Sequence, residues 1–186
     1  MQNQLLDGGF GAPPVDAANA FRAIMTAMAQ PGTICTVAGV TPPAPLSVAA
    51  GVALLTLCDP ETPLFLAAGQ DSAVLRDWIT FHCGAPLVPA TQAQFALGAW
   101  DDLPLDAFAL GTAEYPDRSA TLIVELPELT NTGPVLRGPG IKDQARLCLP
   151  EMTVFQRNNA LFPLGLDFIF TCGDRLAALP RSTRVG

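Results

Sequence analysis

Two apolar segments separated by a Gly-Asp pair, close to the C-terminus, constrain the fold more than any other part of the sequence. They run from residue 162 to 172 and from 175 to 181, and Gly173-Asp174 separates them. A glycine that opens a two-residue loop favours a type II′ turn, because glycine adopts a positive φ without a steric penalty. The pattern predicts a β-hairpin with three facing pairs: Cys172 with Arg175, Phe170 with Ala177, and Phe168 with Leu179.

The first strand of this hairpin has no clearly polar face. Its two faces carry Leu166, Phe168, Phe170 and Cys172 on one side and Asp167, Ile169 and Thr171 on the other. A strand of this kind is typical of a sheet that is covered by helices on both faces. Because helical and strand patterns also alternate along the chain, we expect an α/β fold, a three-layer α/β/α sandwich with a mixed sheet.

Periodicity and capping residues predict the other elements. Helices are expected from an N-cap at Asp16 to Gln30, over 46–58, from a cap at Asp71 or Ser72 to about residue 82, and over 150–160. Strands are expected at 33–38, 64–67, 87–88, around Phe95 and Leu97, at 119–126 and at 135–137. Residues 1–12 are rich in glycine and predict an N-terminal arm, so that residues 13–186 form a single α/β domain.

Composition argues against several classes of partner and site. A net charge of −7 disfavours nucleic acid and anionic membranes. No apolar run approaches the ~20 residues of a membrane span, and the N-terminus lacks the pattern of a signal peptide, so we expect a cytoplasmic protein. The five cysteines are widely spaced without a C-x-x-C pair, and there is one histidine. We therefore expect neither a disulfide framework nor a metal site.

The segment Arg137-Gly138-Pro139-Gly140-Ile141-Lys142 is the most loop-like charged stretch. Glycines allow backbone amides to approach an anion closely, and Arg137 would complete a phosphate site. The segment matches neither a P-loop nor a G-x-G-x-x-G turn, and the alternative is a tight structural turn. Arg137, Gly138 and Gly140, together with Arg181, are the candidate anion-binding residues.

Two further groups are candidates for chemistry. His82, near the end of a predicted helix, is a candidate general base, and the alternative is a histidine that only stabilises the helix C-terminus. Asp167 begins an apolar strand and needs a partner if it is buried. The hairpin register places Arg181 on the opposite face, so we expect Asp167 to bond loop amides or Ser182 rather than Arg181.

The order and spacing of short motifs between residues 13 and 184 resemble those of the PhnH family of bacterial carbon–phosphorus lyase systems. The motifs are Phe21-Arg22, Met28-Ala29-Gln30-Pro31-Gly32, Leu54-Leu55-Thr56-Leu57-Cys58-Asp59, Thr62-Pro63, Phe81-His82, Ala85-Pro86, Gly111-Thr112, Ser119-Ala120-Thr121-Leu122, Gly138-Pro139-Gly140-Ile141, Phe162-Pro163-Leu164-Gly165-Leu166-Asp167 and Leu179-Pro180-Arg181-Ser182-Thr183.

The resemblance implies a role in phosphonate catabolism. Such a subunit works with sister subunits in a complex that attaches an alkylphosphonate to the ribose C1 of a purine nucleoside triphosphate and displaces the base. The resemblance also implies a homodimer for the isolated chain and a fold like the large domain of pyridoxal-phosphate-dependent transferases. We expect no pyridoxal phosphate here, because a Schiff base needs a suitably placed lysine and the one lysine, Lys142, directly follows the Gly-Pro-Gly turn.

The family supplies a role but no catalytic residue to carry over. We therefore expect a mainly structural or co-catalytic subunit of a transferase complex, without a cofactor and not catalytic alone. The alternatives are a stand-alone enzyme that uses Arg137, His82 and Asp167 on a nucleotide or phosphonate, and a binding module for a phosphorylated ligand.

Overall fold

The computed structural model describes residues 7–186, and the first half of the predicted N-terminal arm lies outside this range. The described chain contains four α-helices and nine strands in two sheets. The helices are α1 (Pro13–Ala29), α2 (Val48–Leu57), α3 (Ala73–His82) and α4 (Met152–Ala160). The strands are β1 (Cys35–Thr36), β2 (Leu64–Leu66), β3 (Phe95–Ala99), β4 (Thr121–Glu125), β5 (Val135–Arg137), β6 (Ala145–Arg146), β7 (Asp167–Cys172), β8 (Arg175–Leu179) and β9 (Arg184–Val185).

The larger sheet is mixed, as the sequence predicts. Its six strands lie in the order β1-β8-β7-β4-β3-β2. The strands β2, β3, β4 and β7 are parallel to one another, β8 is antiparallel to β7, and β1 at the end of the sheet is antiparallel to β8. The predicted strand at 87–88 is reduced to a single bridge between Leu87 and Leu64.

The C-terminal hairpin has the predicted register. Cys172 faces Arg175, Phe170 faces Ala177 and Phe168 faces Leu179. Gly173 has a φ of 61°, while Asp174 does not have a positive φ, so the turn has the glycine-first arrangement of type II′. This local prediction is confirmed because the turn residue and the alternation of side chains specify the same register.

Both faces of the larger sheet are covered. Ile123 and Ile169 point to one side, where they join buried residues of α1, α2 and α3 in one apolar cluster. Val124, Phe168 and Phe170 point to the other side, where they join Phe155 of α4 and residues of the second sheet. Alternate side chains along β4 and β7 therefore belong to two separate cores, which explains why neither strand has a polar face.

Helix termini follow the expected chemistry in two cases and depart from it in one. The hydroxyl of Ser47 caps α2, and that of Ser72 caps α3. The prediction that Asp16 is the N-cap of α1 is wrong. The helix begins earlier, at Pro13, and the Asp16 carboxylate accepts the N–H of Ala12 from within the first turn. Proline suits this first position because its missing N–H has no partner there anyway.

The second sheet is small and antiparallel, with the order β6-β5-β9. Its inner residues Leu136 and Val185 are buried in the same cluster as Phe155 and Phe168. The sheet therefore covers part of the larger sheet's second face together with α4. No helix formed by residues 7–186 has the length and apolar character needed to cross a bilayer.

The aromatic cluster around Phe168 generates a stability prediction. Phe168 is fully buried and lies 5.0 Å from Phe155 and 6.0 Å from Phe170 between ring centroids. We expect Phe168→Ala to lower the free energy of unfolding by about 3–5 kcal/mol, the usual cost of removing a buried phenylalanine. Urea unfolding, monitored by tryptophan fluorescence, measures this change in unfolding free energy.

The matched control is Phe162→Ala in the same segment, because Phe162 is 59% exposed. We expect this second change to alter the free energy of unfolding by no more than about 0.5 kcal/mol. Similar losses for the two variants would contradict the placement of Phe168 at the centre of the core.

Candidate functional site

Arg181 is the most heavily bonded side chain that the structure describes, and its partners are all internal. Its Nη2 lies 2.5 Å from Asp167 Oδ2 and also bonds the hydroxyl of Ser119. Its Nε donates to Asp167 Oδ1, and its Nη1 donates to the carbonyls of Pro116 and Pro163. These bonds engage all five guanidinium N–H groups.

The prediction that Asp167 and Arg181 do not meet is therefore wrong. The error arises because β8 ends at Leu179 and the chain turns at Pro180, where Thr183 N–H bonds the Pro180 carbonyl. The strand register cannot be extended past that turn to Arg181. The expectation that Asp167 accepts a loop amide is confirmed, because it accepts the backbone N–H of Arg181 itself at 2.8 Å.

Arg181 thus ties separate segments of the chain together. The segments are the start of β7 through Asp167, the loop before β4 through Pro116 and Ser119, and α4 through Asn159, whose amide donates to the Arg181 carbonyl. The side chains of Arg181 and Asp167 are only 13% and 18% exposed. An incoming anion would have to replace these partners, so the arrangement favours a structural role for Arg181 over anion binding.

The turn after Arg137 is built for close packing at one of its two candidate glycines. A Cβ on Gly140 would lie 1.7 Å from the carbonyl oxygen of Ala29 at the end of α1, and Gly140 has a φ of 79°. Only glycine satisfies both conditions. Gly138 has a φ of 142°, and its carbonyl accepts the N–H of Ile141. The structural alternative therefore accounts for Gly140, while Arg137 stays exposed on the outer face of the second sheet.

Arg137 lies beside other arginines that sequence reasoning did not connect to it. On β9, Arg184 is its direct cross-strand partner, and on β6, Arg146 is paired with Val135. All three arginines are exposed, and the residues between them and the core are Leu136 and Val185. These positions are far apart in the sequence, so only the strand pairing reveals the cluster.

His82 ends α3 and packs between two aromatic rings. The ring centroids of Trp78 and Phe81 lie 5.0 Å and 4.9 Å from that of His82. On the other side, a Cβ on Gly9 would lie 2.6 Å from the imidazole, and the carbonyl of Asp7 is 3.4 Å from Nε2. The described part of the N-terminal arm therefore packs against His82. The arm, the imidazole ring of His82 and α1 line a cavity of about 350 Å³.

The buried cysteines of residues 7–186 are poorly suited to nucleophilic chemistry. All five thiols are free, and burial raises the pKa of the Cys58 and Cys83 thiols, which keeps them protonated and poorly nucleophilic. No group of three or more possible metal ligands is found among the described residues.

Glu125 has a role that sequence reasoning missed. Its carboxylate accepts the N–H of Ser47 at 2.7 Å and the hydroxyl of Thr171 at 2.9 Å. It therefore holds the N-terminus of α2 against the carboxyl ends of β4 and β7. A carboxylate is favoured there by the helix dipole, and it occupies a position at which a ligand anion often binds in α/β proteins.

Comparison with known proteins shows similarity along nearly the whole chain. Residues 8–186 match the family model described as bacterial phosphonate metabolism protein (PhnH). The chain is 39% identical, over 99% of its length and 97% of the relative, to the alpha-D-ribose 1-methylphosphonate 5-triphosphate synthase subunit PhnH of Rhizobium meliloti (strain 1021). It is 30% identical, over 95% of its length and 94% of the relative, to the putative C-P lyase subunit protein HtxG of Stutzerimonas stutzeri.

The Asp167–Arg181 pair generates the prediction of this section. Removal of one member leaves the other charge largely buried without its partner, so we expect Asp167→Ala to cost about 3–5 kcal/mol of unfolding free energy. A double-mutant cycle with Arg181→Met, measured by urea unfolding, should give a coupling energy of roughly 1–3 kcal/mol.

The pair Asp71–Arg76 provides the control, because it has the same chemistry at the surface, with side chains 30% and 52% exposed. Its cycle should give a coupling energy much smaller than that of the Asp167–Arg181 pair, because solvent screens an exposed ion pair. Coupling energies of equal size in the two pairs would contradict the internal role of Arg181.

Proposed function

The chain belongs to the PhnH family of bacterial phosphonate metabolism proteins, and from this premise we propose that it is a subunit of the complex that makes ribose 1-alkylphosphonate 5-triphosphate. In this reaction a purine nucleoside triphosphate supplies the ribose, and the alkylphosphonate replaces the base at C1. The observation that carries the proposal is the 39% identity to the Rhizobium meliloti synthase subunit over almost the full length of both chains.

Within the complex we assign the chain a mainly structural or co-catalytic role. The polar arrangements around Arg181 and Glu125 hold other parts of the chain in place through internal hydrogen bonds. His82 packs against aromatic rings and the arm, and its Nε2 lies 3.4 Å from the backbone carbonyl of Asp7. A general base is normally oriented by a further group, often a carboxylate, and no acidic side chain of residues 7–186 bonds the imidazole of His82.

Exposed apolar side chains support the proposal of partner subunits. On the outward side of α1, Val15 is 61% exposed, and Phe21 and Met25 are each 48% exposed. The helix points Ala20, Ile24 and Ala27 inward, so these exposed apolar side chains are not part of the core. Large apolar side chains exposed on a surface helix are favourable when another protein covers them.

The proposal extends to assembly, location and fold relationship. The isolated chain forms a homodimer, and in the cytoplasm it joins sister subunits. Its mixed sheet, covered on both faces, supports a relationship to the large domain of pyridoxal-phosphate-dependent transferases. The single lysine, Lys142, is exposed beside the turn that contains Gly140, which does not favour a Schiff base in a closed site.

Reconstitution of the synthase from separately purified subunits tests this proposal. We expect product formation from a nucleoside triphosphate and methylphosphonate to depend on this chain, because the assembly is incomplete without it. His82→Ala should support at least half of the wild-type rate, since His82 is assigned no catalytic step. Phosphorus NMR follows the product, and size-exclusion chromatography confirms assembly.

The control is the same mixture without this chain, which should form neither complex nor product. If His82→Ala abolished product formation while the complex still assembled, the assignment of a mainly structural role would be wrong. If the sister subunits reached the full rate without this chain, membership of the synthase would be wrong.

A further inference from the structure

The outer face of the second sheet concentrates positive charge in an otherwise acidic protein. Arg137, Arg184 and Arg146 come from its three strands, and all are exposed, whereas the alternate positions Leu136 and Val185 are buried. Because side chains alternate along a strand, the three arginines share one face. The chain as a whole has a net charge of −7, so bulk composition does not explain this local excess.

Arg137 and Arg184 are directly opposite each other. The flanking pair, Val135 and Gly186, exchanges both backbone hydrogen bonds, so Arg137 and Arg184 form the next hydrogen-bonded pair, with Cα atoms about 5.5 Å apart. Like charges directly opposite on an antiparallel ladder destabilise a sheet. Arg146 on the neighbouring strand β6 is the diagonal neighbour of Arg137, at a distance of about 7–8 Å.

No carboxylate of residues 7–186 forms a salt bridge with any of the three arginines. Arg146 donates from Nη1 to the carbonyl of Gly133, which fixes its position and leaves its other donors available. Asp143 is the one acidic residue between β5 and β6, and Lys142 precedes it. No described carboxylate is therefore directly paired with the three arginines of this face.

We propose that this face binds the phosphate chain of an oligophosphate, with Arg137 and Arg184 as its central ligands and Arg146 at one side. Arginine forms paired hydrogen bonds with phosphate oxygens, and its charge persists at every physiological pH. Three guanidinium groups spread over two strand spacings match several linked phosphates better than a single phosphate or carboxylate. Neutralisation by the ligand also removes the cost of the opposed arginines.

The proposed site consists only of residues of the second sheet, so the proposal does not depend on membership of the synthase. Its ligand chemistry is common to inorganic oligophosphates and to the triphosphate of a nucleotide. An acidic segment of a partner protein is the competing occupant, and the experiment below includes it.

Isothermal titration calorimetry of the full chain with sodium tripolyphosphate, at 50 mM salt, tests the proposal. We expect saturable binding that is at least tenfold tighter than that of inorganic phosphate, and weaker binding at 200 mM salt because released counterions contribute to affinity. The double variant Arg137→Ala/Arg184→Ala should lose at least tenfold in affinity. The variant Arg137→Lys/Arg184→Lys should recover part of this loss, since it restores charge without the planar fork.

The matched control is Arg22→Ala/Arg157→Ala, which removes two exposed arginines from α1 and α4 and changes the net charge equally. It should change the affinity less than twofold. Urea unfolding checks folding, and loss of the opposed arginines should not lower the unfolding midpoint. ATP added to the tripolyphosphate complex shows which kind of phosphate chain the site accepts. Displacement of tripolyphosphate by ATP indicates the triphosphate of a nucleotide, whereas no displacement indicates an inorganic oligophosphate, and both results support the site.

Three results would overturn the proposal. One is the absence of saturable tripolyphosphate binding by the wild-type chain. Another is an equal loss of affinity in the two double variants, which would indicate a general charge effect. The third is loss of assembly with the sister subunits in Arg137→Ala/Arg184→Ala while this variant keeps the wild-type affinity for tripolyphosphate. This would identify the face as a docking surface for an acidic protein segment.

Discussion

The guanidinium of Arg181 and the carboxylate of Asp167 connect parts of the chain that local structure leaves separate. The pair joins the start of β7 to the segment after β8, and through Pro116 and Ser119 it also fixes the loop that leads into β4. Because β4 and β7 are neighbours at the centre of the larger sheet, their positions set the two cores above and below it. A largely buried charge that uses all five donors specifies one arrangement of these segments, since any other would leave donors unpaired.

Other polar groups of the interior are also engaged in internal bonds, which limits the chemistry available there. Glu125 holds the N-terminus of α2 at the carboxyl ends of the parallel strands, where ligands bind in many α/β proteins. Two thiols are held in their protonated form by burial, and the histidine lies among aromatic rings. The described surface carries two groups of exposed side chains, the apolar side chains Val15, Phe21 and Met25 on α1 and the arginines on the second sheet. Function is therefore assigned to those surfaces and to the proteins and anions that meet them.

Sequence patterns predicted the features that depend on neighbouring residues. The hairpin register, the cap at Ser72 and a mixed sheet covered on both faces follow from turn chemistry, capping preference and alternation, whereas the cap at Ser47 was not predicted. The Arg181 contact was missed because it depends on how the chain turns after Pro180, which alternation does not encode. The pairing of Arg137 with Arg184 was missed because β5 and β9 are distant in the sequence, so their charges are brought together only by the tertiary fold.

The central proposal is that the chain acts through what it binds and does not catalyse the reaction alone. Phosphorus NMR of the purified chain alone, incubated with ATP and methylphosphonate, tests this most directly. The account predicts unchanged spectra over many hours, even at enzyme concentrations that give rapid product formation in the reconstituted complex. Continuous formation of the ribose phosphonate by the isolated chain, over many turnovers, would contradict it.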